Sequence, residues 1–467
     1  MNKEAMQSGY PGLPKGIRPY DWALKQLHIA LAHQVTQGDK AVVVAVIDIG
    51  YRHHPDVDGH LWRNPHPGRG DVHGWDFADN DASLEYRGPD DESNNTYRGH
   101  HVFIAGEVAA VAPKCPIMIL RVGYAQDQAK SWVRAVRYAV DHGARVIVEP
   151  HGYIQGQAEY GQGLFYKGTD FGFPYDNPEI LEADDYAYRH NVLVFKGTCD
   201  NRGRRVAIAE CARPPVFAVG SSNRKGLRAN ICASADYVAA GSPGGDRGSG
   251  NPHDRVWGCG GDRNYYPSEG GCMASGFAGG VGALVLSRFP HLTADELRQI
   301  LCNTARGQGW NPWLGHGILN ATRAVGLKRE ELDAQLVVQR AARVEKSGGK
   351  PCVHVILANR GALDLGRVLV TLYTGHPAQR PRRSARHDNP WKMGTLQIGH
   401  AIVERICGFE SAAAAVEIVN YNRTPPREIW AEACALEVGR SHQVDCCRLS
   451  PVGGNWVMLP KGVAPGI

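Results

Sequence analysis

The sequence predicts an α/β domain over residues 1–328, with helices flanking a mostly parallel sheet, followed by a smaller all-β, sandwich-like domain over residues 329–467. One observation is the run Ala41–Ile47, which is apolar throughout, as in a strand buried on both faces of a parallel sheet. A second is the change near residue 330 from helical spacing to strand-like runs separated by turns. A third is length, because 467 residues exceed one ordinary domain.

Helices and strands alternate after the first strand. Apolar residues at helical spacing predict a helix that ends at Gly143, and a short apolar run predicts the buried strand that follows it. Thr293 and Glu296 form a capping-box pattern, which predicts the start of a later helix. In chain order the predicted elements are a helix over 131–142, strands over 145–148 and 192–195, a buried helix over 273–289 closed by Pro290, and a helix beginning at 293.

The remainder of the chain is typical of an all-β domain. Two strand-like runs flank the turn signal Ala358–Gly361, and further runs follow. The hydrophobic pattern is similar to that of immunoglobulin-like modules of secreted and cell-surface proteins. The predicted strands cover residues 352–357, 367–373, 401–406, 414–419 and 429–436.

Composition and charge narrow the function classes. Hydrophobic residues at 43% and charged residues at 21% are values of a globular protein, and 56 glycines suit a loop-rich enzyme. The formal charge is only +5, and no nucleic-acid partner is expected because the densest basic patch lacks interleaved aromatic residues. No apolar run is long enough to cross a bilayer, so no membrane association is expected. The basic patch consists of Arg380, Arg382, Arg383 and Arg386.

The chain contains twelve cysteines, and its polar N-terminus, Met1–Gly12, has no secretory signal. Reduced thiols in a cytoplasmic protein are therefore expected. The alternative is a secreted protein whose signal and pro-segment are absent from this sequence, with some cysteine pairs oxidised. No pair has zinc-ligand spacing, and the adjacent Cys446 and Cys447 give poor metal geometry, so neither a metal nor a cofactor is expected.

Three segments carry residues suited to nucleophilic catalysis. Asp48 follows the first strand, at the edge where open α/β sheets place their sites. His100 lies in the segment Gly99–Gly106. Cys272 follows the pair Gly270-Gly271 and begins the buried helix, whose dipole favours a thiolate. The alternative interpretation of this last segment is a core cysteine in a glycine-rich helix, since free cysteines are commonly buried.

The three segments resemble the motifs of the subtilase family, in the same order along the chain. Asp48-Ile49-Gly50 with the later His54-Pro55-Asp56 resembles its aspartate motif, and Gly99–Gly106 resembles its histidine motif. Gly270–Gly276 resembles its Gly-Thr-Ser-Met-Ala-Ser-Pro motif. The resemblance covers roughly residues 20–325 and implies a subtilisin-like fold and action on peptide bonds.

The nucleophile motif departs from the family at two positions, with Cys272 in place of serine and Gly276 in place of proline. The resemblance implies a triad in which Asp48 orients His100 and Cys272 attacks an amide to form a thioester. The helix and the imidazole are expected to lower the pKa of Cys272 below the free value of about 8.5. In engineered subtilases, this pair of changes favours aminolysis of a thioester over hydrolysis, so Gly276 is expected to modulate the outcome.

The oxyanion donor and the substrate-binding edge also depart from the family. The residue aligned with the oxyanion asparagine is Asp200, or Asn201 after a slip of one position. An ionised carboxylate would repel an oxyanion, so Asp200 could donate only if its pKa were raised enough to keep it protonated. The edge that pairs with substrate backbone aligns with Pro150, His151 and Gly152, and Pro150 has no N–H to donate.

Three functions follow from these features. The first is a hydrolase or acyl transferase that acts on peptide bonds through a cysteine thioester. The second is a peptide ligase that uses the same thioester. The third is a pseudoprotease that binds a peptide or a protein partner without efficient catalysis. Each implies a peptide or protein substrate or ligand, and the C-terminal β domain is a candidate surface for a protein partner.

Overall fold

The computed structural model divides the chain into two compact units, Met1–Gly326 and Leu327–Ile467. The residues that it describes are 13, 16–87, 95–123, 128–150, 171–172, 178–198, 200, 206–207, 210–246, 250–261, 264–332, 336–345, 351–364, 366–373, 397–403, 408–409, 411–417, 429–435, 444–452 and 455–458.

The first unit is built on a seven-stranded sheet in which all neighbouring strands are parallel, in the order β2-β3-β1-β4-β6-β8-β9. Its central strand β1 is buried along its whole length, as the apolar run in the sequence predicts. The strands of this unit are β1 Val43–Asp48, β2 Gly74–Asp76, β3 Ile117–Arg121, β4 Ala144–Glu149, β5 Phe171–Gly172, β6 Leu193–Gly197, β7 Val206–Ala207, β8 Val216–Ser222, β9 Ala240–Pro243, β10 Val256–Cys259 and β11 Tyr265–Ser268. The predicted fold class is confirmed.

Helices flank this sheet. The capping box predicted at Thr293 is present, since the Glu296 backbone N–H donates to the threonine hydroxyl and the Glu296 carboxylate accepts from the Thr293 backbone N–H. Among the described residues, no helix has the length and apolarity needed to cross a membrane. The helices are α1 Asp21–Gln26, α2 Ile29–Ala32, α3 Pro55–Asp58, α4 Asn95–Val111, α5 Gln128–Asp141, α6 Pro178–Arg189, α7 Gly271–Arg288, α8 Ala294–Thr304 and α9 Ala321–Val325.

Helix α7 is buried along nearly its whole length, which is why its sequence is uniformly small and apolar. It packs against α4 and against strands β4 and β6. A Cβ atom at Gly282 would lie 2.7 Å from the Phe195 ring on β6, and one at Gly280 would lie 2.7 Å from Cβ of Val111 on α4. Real Cβ atoms do not approach so closely, so glycine at these positions sets how near the helix comes to its neighbours.

The second unit is a smaller all-β unit with one eight-stranded sheet, whose paired strands are all antiparallel. It contains the five strands expected from the sequence. It also contains β12, β18 and β19, whose mixture of charged, polar and apolar residues lacks a clear apolar alternation. The strands are β12 Leu336–Glu345, β13 Pro351–Asn359, β14 Val368–Tyr373, β15 Gln397–Val403, β16 Ser411–Glu417, β17 Ile429–Ala435, β18 Val444–Val452 and β19 Asn455–Met458. Its likeness to immunoglobulin modules stays a prediction.

We expect Gly282→Ala to destabilise the protein by about 1–2 kcal/mol, because overpacking against the buried Phe195 outweighs the better helix propensity of alanine. Urea unfolding followed by circular dichroism measures this change. Gly68→Ala is the matched control, since a Cβ at Gly68 meets no atom within 4 Å. A loss of stability that is equal in the two variants would contradict this account of α7.

Candidate active site

Asp48 and His100 form a buried pair at the carboxyl edge of the sheet. Asp48 ends β1, and His100 lies in the second turn of α4, which packs against β1. The Asp48 Oδ2 atom lies 2.7 Å from His100 Nδ1, and Asp48 Oδ1 accepts a 2.7 Å hydrogen bond from the Ile49 backbone N–H. Asp48 is 0% exposed and His100 is 5% exposed. A carboxylate at Nδ1 holds the hydrogen there, which leaves Nε2 as the basic nitrogen of the ring.

Cys272 is the second residue of α7 and is a free, partly exposed thiol. The helix begins after Gly270, whose φ of 136° lies in the region that favours glycine. Close packing fixes this start, because a Cβ at Gly197, the last residue of β6, would lie 2.6 Å from the Gly271 carbonyl. The chain thus brings the thiol to the same edge of the sheet as Asp48. Cys259, the cysteine that precedes Cys272 in the sequence, is also a free thiol, so the two form no disulfide.

The surroundings of Cys272 do not favour a thiolate. Burial raises the pKa of the thiol well above its ordinary value, and electrostatic interactions with the carboxyl groups of Asp200, Asp48, Glu149 and Glu107 raise it further. The expectation of a lowered pKa is therefore wrong. The helix dipole acts only over the first turn, and carboxyl groups from four other segments outweigh it. A thiol in this setting needs a base to take its proton as it attacks.

Asp200 lies beside the start of α7. Its Oδ1 atom accepts a 2.8 Å hydrogen bond from the Gly271 backbone N–H, and its carboxyl group packs against Gly270. Although the residue as a whole is exposed, burial of the carboxyl group raises its pKa to about 6, and the charge of Glu269 adds to this shift. Of the two aligned candidates for the oxyanion position, Asp200 is thus placed next to Cys272. Asn201 lies outside the described residues.

Gly276 makes room for a buried acid that sequence reasoning missed. The Glu107 carboxyl group, on α4, occupies the place where a Cβ of residue 276 would stand, and Ile104 lies 3.2 Å from the same point. Glu107 is 0% exposed, and within the described part of the chain neither of its carboxyl oxygens has a hydrogen-bond partner. Burial raises its pKa well above the ordinary value, so the group is a neutral acid. Proline or alanine at 276 would collide with it.

A second feature missed from the sequence is a buried ion pair beside the site. Lys196 Nζ lies 2.8 Å from Glu149 Oε2, and the two side chains are 5% and 4% exposed. The residues face each other on paired strands, at the ends of β4 and β6. The only signal in the sequence was a charged residue ending each of two apolar runs. Pro150 follows directly and is buried, whereas His151 and Gly152 lie outside the described residues.

The sequence matches the model of the subtilase family over residues 39–194 and 200–325. It is 25% identical over 360 residues to fervidolysin of Fervidobacterium pennivorans, covering 68% of this chain and 46% of that protein. It is also 25% identical over 248 residues to subtilisin DY of Bacillus licheniformis, covering 50% of this chain and 80% of that protein. A calcium-dependent protease of Trichormus variabilis matches at 25% identity, with 70% of this chain and 54% of that protein covered. The chain thus spans about half the length of fervidolysin and of the calcium-dependent protease.

Solved structures support the same fold. A lanthipeptide protease superposes with a TM-score of 0.52 at 23% identity, covering 66% of this chain and 94% of that one. A protease of Pseudoalteromonas arctica superposes with a TM-score of 0.51 at 21% identity, covering 64% and 93%. At these identities the likeness establishes the fold alone.

We expect Gly276→Ala to lower the free energy of unfolding by about 1–3 kcal/mol, because the new methyl group overpacks against Glu107. In a Glu107→Ala background the same substitution should cost at least about 1 kcal/mol less, since the obstacle is gone. Urea unfolding of the four proteins of this double-mutant cycle measures the coupling. Gly282→Ala is the control, and its cost should not depend on Glu107. Additive effects of the two substitutions would show that the contact does not determine residue 276.

Proposed function

This chain belongs to the subtilase family, and we propose that it acts on peptide bonds through Cys272 as the nucleophile, with His100 as the base and Asp48 as its orienting acid. The observation that carries the proposal is the 2.7 Å hydrogen bond between His100 and Asp48, which is fully buried at the edge of the sheet. A histidine held in this way can accept a proton at Nε2, and Asp48 stabilises the imidazolium that forms.

The proposed reaction passes through a thioester. The Cys272 thiol attacks the carbonyl carbon of the substrate while His100 takes its proton. His100 then gives this proton to the leaving amine as the C–N bond breaks. Water attack on the thioester gives the free acid, and attack by a second amine gives a new amide. Because the pKa of the Cys272 thiol is raised, we propose that His100 removes the thiol proton during the attack on the carbonyl carbon. A thiolate would then not be present before the substrate binds.

Asp200 would contribute to this reaction as a neutral acid. With its pKa raised to about 6, it is protonated in mildly acidic solution and can then donate a hydrogen bond towards the oxyanion. The Gly271 N–H already bonds one of its oxygens, which leaves the other for such a bond. Above pH 6 the carboxylate is ionised and opposes the negative charge that develops on the substrate.

Peptide ligation is the second candidate, and Gly276 favours it. Glycine in place of proline restores a backbone N–H in the second turn of α7, and a small resulting change in the position of Cys272 would disfavour attack by water. A pseudoprotease is the third candidate, and the raised pKa of Cys272 favours it, since few thiolates form at neutral pH. For all three we propose a peptide or protein as the substrate or ligand. A protein partner for the C-terminal β unit and a cytoplasmic location are further proposals.

We expect a peptide that carries an electrophilic carbonyl group to form one covalent adduct with the full-length protein, at Cys272. His100→Ala should slow its formation by roughly 10²–10⁴-fold, because general-base assistance is lost. Intact-mass spectrometry followed by peptide mapping measures the adduct. Cys302→Ser, which removes another partly exposed thiol, is the control and should have no effect. Modification that is insensitive to His100→Ala would leave the pseudoprotease as the better description.

The same protein separates hydrolysis from ligation. A peptide thioester with an amine acceptor should give acid if the protein is a hydrolase and amide if it is a ligase. Gly276→Pro tests the role of glycine, but it must be made together with Glu107→Ala because proline would collide with the buried acid. A shift towards acid supports a modulating role of Gly276. An unchanged ratio of acid to amide means that glycine is present only to accommodate Glu107.

We expect kcat/KM of the wild-type protein to fall as the pH rises through about 6. At this pH the Asp200 carboxyl group ionises and can no longer donate a hydrogen bond to the oxyanion. In Asp200→Asn the amide donates at every pH, so kcat/KM at pH 8 should rise by roughly 10²-fold relative to wild type. At pH 5 the two proteins should differ little. The raised folded-state pKa also means that the stability contributed by the protonated group is lost as the pH rises from about 4 to about 6, so the variant should be more stable than wild type above pH 6. A variant that keeps the wild-type profile would remove Asp200 from the mechanism.

A further inference from the structure

A cluster of three potential metal ligands lies outside the triad. His54 and Asp56 stand at the start of α3, and Cys259 is the last residue of β10. One ligand atom from each residue lies within 4.8 Å of the other two, and Cys259 Sγ is 4.0 Å from Asp56 Oδ2. His54 and Cys259 are 0% exposed, whereas Asp56 reaches solvent. The cluster therefore has buried nitrogen and sulfur ligands and an open side through which an ion can enter.

The contacts within the cluster orient its ligands. The Tyr265 hydroxyl donates a 2.6 Å hydrogen bond to Asp56 Oδ2, which orients the carboxylate without enclosing it, since Asp56 is exposed. His54 Nδ1 accepts a 3.1 Å bond from the Asp56 backbone N–H, so the lone pair of the neutral ring lies on Nδ1, on the side of Asp56. His54 Nε2 is buried without a hydrogen bond among the described residues, and burial lowers the pKa of the ring, which favours the neutral form that binds a metal. An ion bound at Nδ1 would replace the bond from the Asp56 N–H, which water can then solvate.

The chemistry of these ligands selects the ion. Calcium and magnesium need six or more oxygen ligands, which a thiol and an imidazole do not provide. A thiolate, an imidazole and a carboxylate suit zinc, with a fourth position left for water. Zinc bonds of about 2.0–2.3 Å put tetrahedral ligand atoms roughly 3.3–3.6 Å apart, so the cluster must close by about 1 Å. The side chain of Asp56 can move in this way because it is exposed.

We infer that His54, Asp56 and Cys259 bind a zinc ion, which ties the segment after β1 to the β10–β11 hairpin. On binding, the Cys259 thiol loses its proton to solvent and a sulfur–zinc bond forms, so affinity rises with pH. The hairpin leads directly into Gly270 and Cys272, so the ion would fasten the segment that carries the nucleophile. The cysteine spacing alone predicts no metal site, because Cys259 and Asp56 are 203 residues apart in sequence.

Cobalt(II) is the probe, since a cobalt–thiolate bond gives a charge-transfer absorption that a metal bound only by nitrogen or oxygen does not give. Full-length protein carrying Cys272→Ala is titrated with cobalt and then with zinc, so that the thiol of the triad cannot contribute. We expect a charge-transfer band that saturates at one equivalent and that zinc abolishes. Adding Cys259→Ser should remove the band. Adding Cys232→Ser, a buried thiol outside the cluster, should leave it unchanged.

Two variants that keep the Cys259 thiol test the inference even if Cys259→Ser does not fold. Tyr265→Phe removes only the hydrogen bond to the Asp56 carboxylate, and it should weaken zinc affinity by roughly 10–100-fold. His54→Gln should weaken it at least as much, and zinc should then no longer raise the melting temperature. A band that survives Cys259→Ser, or a zinc-induced stabilisation that is equal in His54→Gln and wild type, would overturn the inference. Neither outcome bears on the assignment of the triad, which uses different residues.

Discussion

The close packing of helix α7 is the constraint on which the first unit depends. The helix is buried among α4, β4 and β6, and its glycines let these neighbours approach to distances that no other residue would permit. Because Cys272 stands in its first turn, the position of the thiol follows from contacts made further along the helix. The pair formed by Asp48 and His100 is positioned by β1 and α4 against the same helix. The positions of these three residues are thus a property of the core.

The sequence predicted those parts of the site that depend on local pattern. The strand ending at Asp48 and the helix beginning near Cys272 each have a local signal in the sequence, and His100 is marked by the motif Gly99–Gly106. The resemblance to the subtilase motifs predicted that the three residues meet, and the structure shows the contact between Asp48 and His100. The contact between Gly276 and Glu107 could not be predicted, because it depends on how closely α4 packs on α7. The absence of a side chain at Gly276 leaves the space that the Glu107 carboxyl group occupies.

The pKa of Cys272 is a second property that could not be predicted from the sequence. A helix dipole and a neighbouring imidazole are visible in the sequence, and both favour a thiolate. The opposing groups come from four separate segments, and only the fold shows that Asp200, Asp48, Glu149 and Glu107 surround the thiol. The appended β unit was predicted in outline, but strands such as β18 were not, because their charged and polar residues obscure the alternation that marks a strand.

The negative surroundings of Cys272 also determine its response to oxidants. Peroxides react with thiolates, and sulfenic acid forms far more slowly from a protonated thiol. Burial and the nearby carboxyl groups raise the pKa of Cys272, which favours the protonated thiol over the thiolate that peroxides attack. In the mechanism that we propose, the sulfur would stay protonated at rest and would be activated only when a substrate carbonyl and the His100 imidazole act on it together.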